Sequence, residues 1–316
     1  MAGLFGFFDY NKVGKGVSIN EPPKKPIVQF FTILGRKFWK IVQINLMYFV
    51  FSLPVLIVSI VAAQLIMNLM LPGISIETLA QFFKETGVTL AEGTSFEEFA
   101  ASQLIIIYIL LGFMLTGLSL IITGPVHAGF TYVMRNYSRQ EHAFIWADAK
   151  EHAIKNIKQS IISSLISLGV TLIAAFSFSY YMNNDVLNLG LFETVILTLI
   201  FVAFLIWSIM QMYLYPMMVT FKLTLKQLYK NCLILSIMRL PINILLLFFS
   251  VSIFLLIPYG FIMFGSSLTV LIALIWYAFI AFGLNLLMTN FFVYRGLDKY
   301  LMQRIESKGS PSDSLE

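Results

Sequence analysis

A chain of 316 residues that is 59% apolar and only 12% charged lies outside the range of water-soluble domains, in which charged residues make up about 25%. Its net charge of +5 comes from 21 Lys and Arg against 16 Asp and Glu. That excess follows from where the cations stand along the chain, so it points to no nucleic-acid partner, and a single cysteine, Cys232, excludes a disulfide framework.

In chain order, residues 1–43 read as a cytoplasmic N-terminal tail and interfacial helix. Residues 1–26 are rich in Gly, Lys and Pro and crowd Leu4, Phe5, Phe7, Phe8 and Tyr10 together. This stretch is either a mobile tail or an aromatic segment at the inner interface, where such rings partition well. From 27 to 40 a helical pattern carrying Arg36, Lys37 and Lys40 leads into the first of six apolar segments.

The six run over 44–67, 102–124, 159–182, 191–221, 242–264 and 268–294. Each reaches the roughly 20 residues that a helix needs to cross a hydrocarbon core. None carries a charge in its interior, and Glu193 stands at the outer end of the fourth. A charge at the centre of a span costs about 2.5–3.5 kcal/mol on insertion scales, so clean interiors are what partition into lipid requires.

The connections sort by charge. Twenty of the 21 cations fall before the first span, between the second and third, between the fourth and fifth, or after the sixth; only Lys84 lies elsewhere. The positive-inside rule makes both termini and the two long basic connections cytoplasmic and the acidic 71–101 segment extracytoplasmic. The fold class is therefore all-α: a polytopic six-helix membrane bundle over 44–295, in a bacterial inner (cytoplasmic) membrane, with a tail over 296–316 whose end is disordered. The first apolar segment is too long and too far into the chain for a cleaved signal peptide and reads as an uncleaved span.

The second basic connection holds the best-defined local pattern, an amphipathic helix over 139–159. Asp148, Glu151, His152, Lys155 and Lys158 share one face, with Trp146, Ala149, Ala153 and Ile157 opposite. These polar residues and Trp146 form the candidate surface for docking a partner. Glu151 precedes Lys155 by four residues, the favourable order, worth about 0.2–0.5 kcal/mol.

Inside the spans, Pro54 and Pro258 are candidate kinks, and Gln211 and Asn285 are candidate cavity residues. Broken helices often mark substrate sites in transporters, whereas a bend at the interface is the plainer role. Gln64, Gln103, Asn243 and Asn290 are further neutral polar groups, and Asn285, the deepest, is expected to face the bundle because an amide is costly against lipid. Ser163, Ser167 and Thr171 recur every four residues in the third span, as small polar residues do where helices pack closely.

Several chemistries are missing. His127, His142 and His152 accompany no metal-binding pattern, and neither a phosphate-binding Gly-rich loop nor a nucleophile elbow occurs. No catalytic, cofactor-binding or metal residue is assigned. Ion-coupled carriers usually hold ionisable groups within the membrane, and these spans do not.

Three stretches carry a resemblance: GLFGFFDYNKVGKGV (3–17), TGPVHAGFTYVMRNYSRQEHAFIWADAKEHAIKNIKQ (123–159) and KLTLKQLYKNCLILSIMRLP (222–241). Together they resemble the YesL-like membrane proteins of Gram-positive bacteria, a family of unknown function, with Gly124, Pro125, Trp146, Asp148 and Lys155 to Gln159 the most specific part. The chain departs from the pattern at Val126 and His127, where small residues are usual, and in its longer 71–101 segment. The resemblance implies an accessory role in carbohydrate uptake of the ATP-binding-cassette type, with an importer permease or its ATPase as partner. The alternatives are a bundle that itself conducts a neutral solute, and a membrane scaffold that binds lipid.

Overall fold

The computed structural model describes residues 25–90, 93–117, 124–182, 190–263 and 267–302. The aromatic N-terminal segment and the disordered end expected from sequence lie outside these residues. Helices dominate and no strand occurs among the described residues: α1 (Pro26–Met70), α2 (Ile76–Glu85), α3 (Phe96–Gly117), α4 (Gly124–Ser138), α5 (Ile145–Lys155), α6 (Ile157–Met182), α7 (Leu191–Met218), α8 (Leu225–Met238), α9 (Leu240–Val251), α10 (Ile257–Ile262), α11 (Ser267–Trp276) and α12 (Phe282–Leu297). Wider π-helical turns join α9 to α10 (Ser252–Leu256), join α11 to α12 (Tyr277–Ala281) and follow α12 (Asp298–Met302).

Six helical rods among these are long and apolar enough to cross a membrane. The interfacial helix and first span expected from sequence form one rod: α1 runs unbroken for 45 residues, about 67 Å at 1.5 Å per residue. Pro54 lies within it on the exposed side. The second span starts earlier than its apolar stretch because Ser95 and Glu98 cap α3 reciprocally, at 3.1 and 3.2 Å between backbone nitrogen and side-chain oxygen. Ser75 and Thr78 cap α2 in the same manner. The acidic segment thus contains one full helix and the first turns of another, joined by a Phe83–Phe99 edge-to-face contact.

The amphipathic helix is shorter than the 139–159 expected. Gln140 takes a positive φ of 61° in a turn, and the helix begins only where Asp148 Oδ2 accepts the Phe144 N–H at 2.8 Å. It ends at Asn156, whose side-chain amide donates to the His152 carbonyl at 2.8 Å. The chain bends there and enters α6.

α1 is the central rod, packed against α3, α4, α6 and α12. The basic regions converge at one end. Arg295 reaches Gln29 at 2.9 Å, and Arg135 of α4 donates to the Val219 carbonyl at 3.0 Å, capping the last turn of α7 with a cation. Gln159 holds the Leu223 carbonyl at 3.1 Å. At the opposite end Ser179 Oγ donates to the Leu69 carbonyl, tying α6 to α1.

Polarity is distributed inside out. Val50, Ile57, Leu65, Ile173, Leu199, Phe248 and Leu271 face outward, while Ser160, Ser163, Ser164, Ser167 and Thr171 are buried. So large an exposed apolar belt has no place on a monomeric soluble protein and is what a lipid-facing surface looks like. The chain folds as a polytopic membrane helical bundle.

The π turns solve a hydrogen-bonding problem posed by Pro258. That residue has no N–H for the Phe254 carbonyl, and in lipid no water takes its place. Tyr277 O–H donates to Phe254 instead, and Trp276 Nε1–H donates to the Ile253 carbonyl at 2.9 Å. Both donors stand where α11 gives way to its own π turn. The Tyr277 carbonyl exposed there accepts from Asn45 Nδ2 of α1 at 2.9 Å.

Candidate functional site

Four helices place polar side chains around one small cavity. α4 contributes His127 and Thr131; α7 contributes Ser208 and Gln211; α9 contributes Ser250; α12 contributes Asn285, Thr289 and Asn290. The spacing explains the convergence, since 127 and 131, 285 and 289, and 208 and 211 are three or four residues apart and so share a helix face. Met212, Pro216, Leu247 and Leu286 complete the wall.

Five buried atoms on this wall have no partner among the described residues: Thr131 Oγ1, Gln211 Nε2, Ser250 Oγ, Thr289 Oγ1 and Asn290 Oδ1. Leaving a buried polar group unsatisfied costs about 1–3 kcal/mol. Five of them in a dry cavity would cost about 5–15 kcal/mol, as much as the whole net stability of a typical domain. The cavity measures about 30 Å³ at the centres of water-sized molecules, and about 10–15 Å³ suffices for one water. The wall therefore calls for small hydrogen-bonding guests, and one cannot be apolar.

The other ends of these side chains are held. Gln211 Oε1 accepts from Ser167 Oγ at 2.9 Å, and Asn290 Nδ2 donates to the Leu286 carbonyl at 2.8 Å. His127 Nδ1 and the Tyr48 hydroxyl are hydrogen bonded at 3.0 Å, and the imidazole lies against the ring of Tyr215. The Ser164 hydroxyl donates to the Ser160 carbonyl at 2.9 Å while its oxygen accepts the Gly124 N–H at 2.9 Å. With its one proton committed, Ser164 receives the Tyr215 hydroxyl at 3.0 Å. The site is thus rigidly framed and, apart from His127, free of ionisable groups.

Of the residues singled out from sequence, the candidate cavity residues Gln211 and Asn285 line this cavity together with Asn290 and His127; Pro54 and Pro258 do not. Asn243 serves elsewhere, accepting the Tyr213 hydroxyl at 2.6 Å and donating to the Ser236 carbonyl at 2.9 Å at the end of α8. Gln64 turns outward. Thr131, Ser250 and Thr289 were missed because a lone hydroxyl in an apolar helix usually satisfies itself on its own backbone. The signal for Thr131 and Thr289 lay in the four-residue spacing to His127 and Asn285, whereas Ser250 carried no such spacing.

The six residues of the inner helix divide. α5 lies tightly on α4, because at Gly129 any Cβ would overlap the Ala149 carbonyl. Asp148 caps its own helix, and His152 stacks on Tyr132 with ring centroids 3.3 Å apart, its Nδ1–H donating to the Asp148 carbonyl at 3.0 Å. Burial is the main force lowering the His152 pKa below its ordinary value. Glu151 and Lys155 remain exposed on α5, while Lys158, expected on the same helix, lies past the bend and is exposed at the start of α6. Trp146, 56% exposed, stacks on Phe51 of α1, an interfacial position for an aromatic ring.

Comparison with family models, with curated proteins and with solved structures finds no match. The architecture itself defines the class: a multi-pass membrane protein whose core contains an uncharged polar pocket.

Proposed function

We propose that the protein is a component of a solute-uptake system in the bacterial cell membrane, and that its bundle interior binds a small uncharged molecule rich in hydroxyl groups. The observation that supports this is the set of five unpartnered hydroxyl and amide atoms around one cavity. Neutral donors and acceptors recognise neutral solutes, and the absence of carboxylates or ammonium groups on the wall disfavours ions. The cavity suits about two waters, or the terminal hydroxyls of a polyol, by the same volume scale. A hexose does not fit unless α9 or α12 moves away.

Osmotic swelling of proteoliposomes in glycerol tests the reading. The intact protein is expected to accelerate swelling, and the isosteric Thr289→Val together with Gln211→Leu to remove the acceleration while the protein still folds. Swelling no faster than protein-free vesicles would refute conduction.

A second reading rests on the resemblance to YesL-like proteins and on the exposed residues of α5 and the first turn of α6. In it the protein is an accessory to carbohydrate uptake of the ATP-binding-cassette type, docking an importer permease or its ATPase through Trp146, Glu151, Lys155 and Lys158. Asp148 and His152 then shape the helix and touch no partner. Copurification from native membrane should recover a stoichiometric cassette subunit, and Trp146→Ala with Lys155→Ala should lose it without impairing insertion. Recovery unchanged in that double variant would remove α5 as the docking surface.

A further inference from the structure

We infer that the cleft where α9 meets α12 at the basic end of the bundle is a binding site for one anionic glycerophospholipid. The cleft, about 1010 Å³, brings together Arg139, Arg239, Arg295 and Lys299 with two carboxylates, Glu141 and Asp298. Four cations less two carboxylates leave an excess of +2.

Three of these cations are held in place before any ligand arrives. Arg239 stands at the junction of α8 and α9 and crosses to α12, where its Nη1 donates to the Phe292 carbonyl at 2.9 Å. Its guanidinium lies directly on Gly296, and a Cβ there would overlap it. Arg295 donates to Gln29 at 2.9 Å and lies over the ring of Phe291. Arg139 pairs with Glu141 at 2.9 Å and lies over Tyr294 at 5.1 Å. Each guanidinium has five N–H donors in a planar fork suited to phosphate, so these contacts leave donors to spare.

The cleft is not a soluble-anion site, because its charge continues into an apolar wall. Ile242 and Leu245, on the first turns of α9, are 45% and 54% exposed and belong to a membrane-crossing rod. With Phe291 and Phe292 they line the same cleft. A free phosphate would leave that wall bare, and a zwitterionic headgroup would leave the charge excess unanswered. An anionic headgroup with its acyl chain along α9 satisfies both, as basic pockets between spans do elsewhere.

Native mass spectrometry of the full chain, released from micelles containing equal amounts of phosphatidylglycerol and phosphatidylcholine, tests the assignment. The expected result is one retained phosphatidylglycerol per chain, with retention falling about five-fold for each cation removed in the series Lys299→Gln, Arg295→Gln and Arg239→Gln. Lys222→Gln, Lys226→Gln and Lys230→Gln, which alter the charge of the same end outside the cleft, are expected to leave retention intact. Because Arg239 braces α12, the two exposed variants alone suffice should the third fail to fold. Equal retention of phosphatidylcholine, displacement by inorganic phosphate at millimolar level, or a preference indifferent to the cleft variants would overturn the assignment. The last outcome would leave the cleft to residues 303–316 or to a protein partner.

Discussion

Asn45 of the first span and Tyr277 of the last are bound through one side-chain amide. Asn45 Nδ2 donates to the Tyr277 carbonyl at 2.9 Å, while its Oδ1 accepts the Gly283 N–H at 2.8 Å. One residue so spans the opening of a π turn, supplying both the donor and the acceptor that the widened helix lacks. Tyr277 in turn supplies, through its hydroxyl, the donor that Pro258 denies to the Phe254 carbonyl. Three rods are joined by a chain of compensations, each repairing an irregularity of the next.

Asn45→Leu is expected to break this chain. It strands a buried carbonyl and a buried N–H at once, and the loss should be about 1–3 kcal/mol of stability. Unfolding in mixed micelles by increasing fraction of sodium dodecyl sulfate measures it, with Gln64→Leu, on the outward side of the same helix, as the control. Equal midpoints for the two variants would show that the amide is dispensable.

Gly129→Ala is expected to lift α5 off α4, since the added methyl meets backbone, which cannot swing aside. Overpacking of this kind costs about 1–3 kcal/mol. Hydrogen exchange should quicken over residues 145–155 and stay unchanged in the body of α6. Protection kept throughout would mean that the two helices are not held in contact.

Acid is expected to loosen the same contact. Burial against Tyr132 lowers the His152 pKa, so the unfolded form binds protons more readily than the folded one. The stabilisation is then fully present above the ordinary histidine pKa of about 6.5 and lost as pH falls through the lower folded value. Exchange over 145–155, corrected for its intrinsic pH dependence, should rise on acidification, and His152→Gln should flatten the profile.

Cys232 is expected to resist maleimide in the folded protein and to react on denaturation. It is fully buried beside Met217, and burial raises its thiol pKa, which suppresses the reactive thiolate. The native thiol is therefore a silent background for topology mapping. Lys84→Cys and Lys226→Cys should label from opposite faces of the membrane; labelling of both from one face would contradict the sidedness read from charge.

Much of the architecture was legible because lipid imposes a one-dimensional rule. A stretch such as 159–182 has to be free of charge throughout, whatever the neighbours are. Helix ends were less legible. The amphipathic helix was expected to run to 159, yet it stops at Lys155 because the Asn156 amide competes for the His152 carbonyl, a local choice that periodicity does not register.

The sequence by itself determined the six apolar rods, their alternation and the amide-bearing positions Gln211 and Asn285 within them. Only the tertiary structure decided that these two share a wall with Thr131, Ser250 and Thr289, and that Arg239 lies across Gly296 to build a basic cleft. The reason is geometric: hydropathy measures what one residue costs in lipid, whereas a pocket depends on which faces of four separate helices turn toward each other.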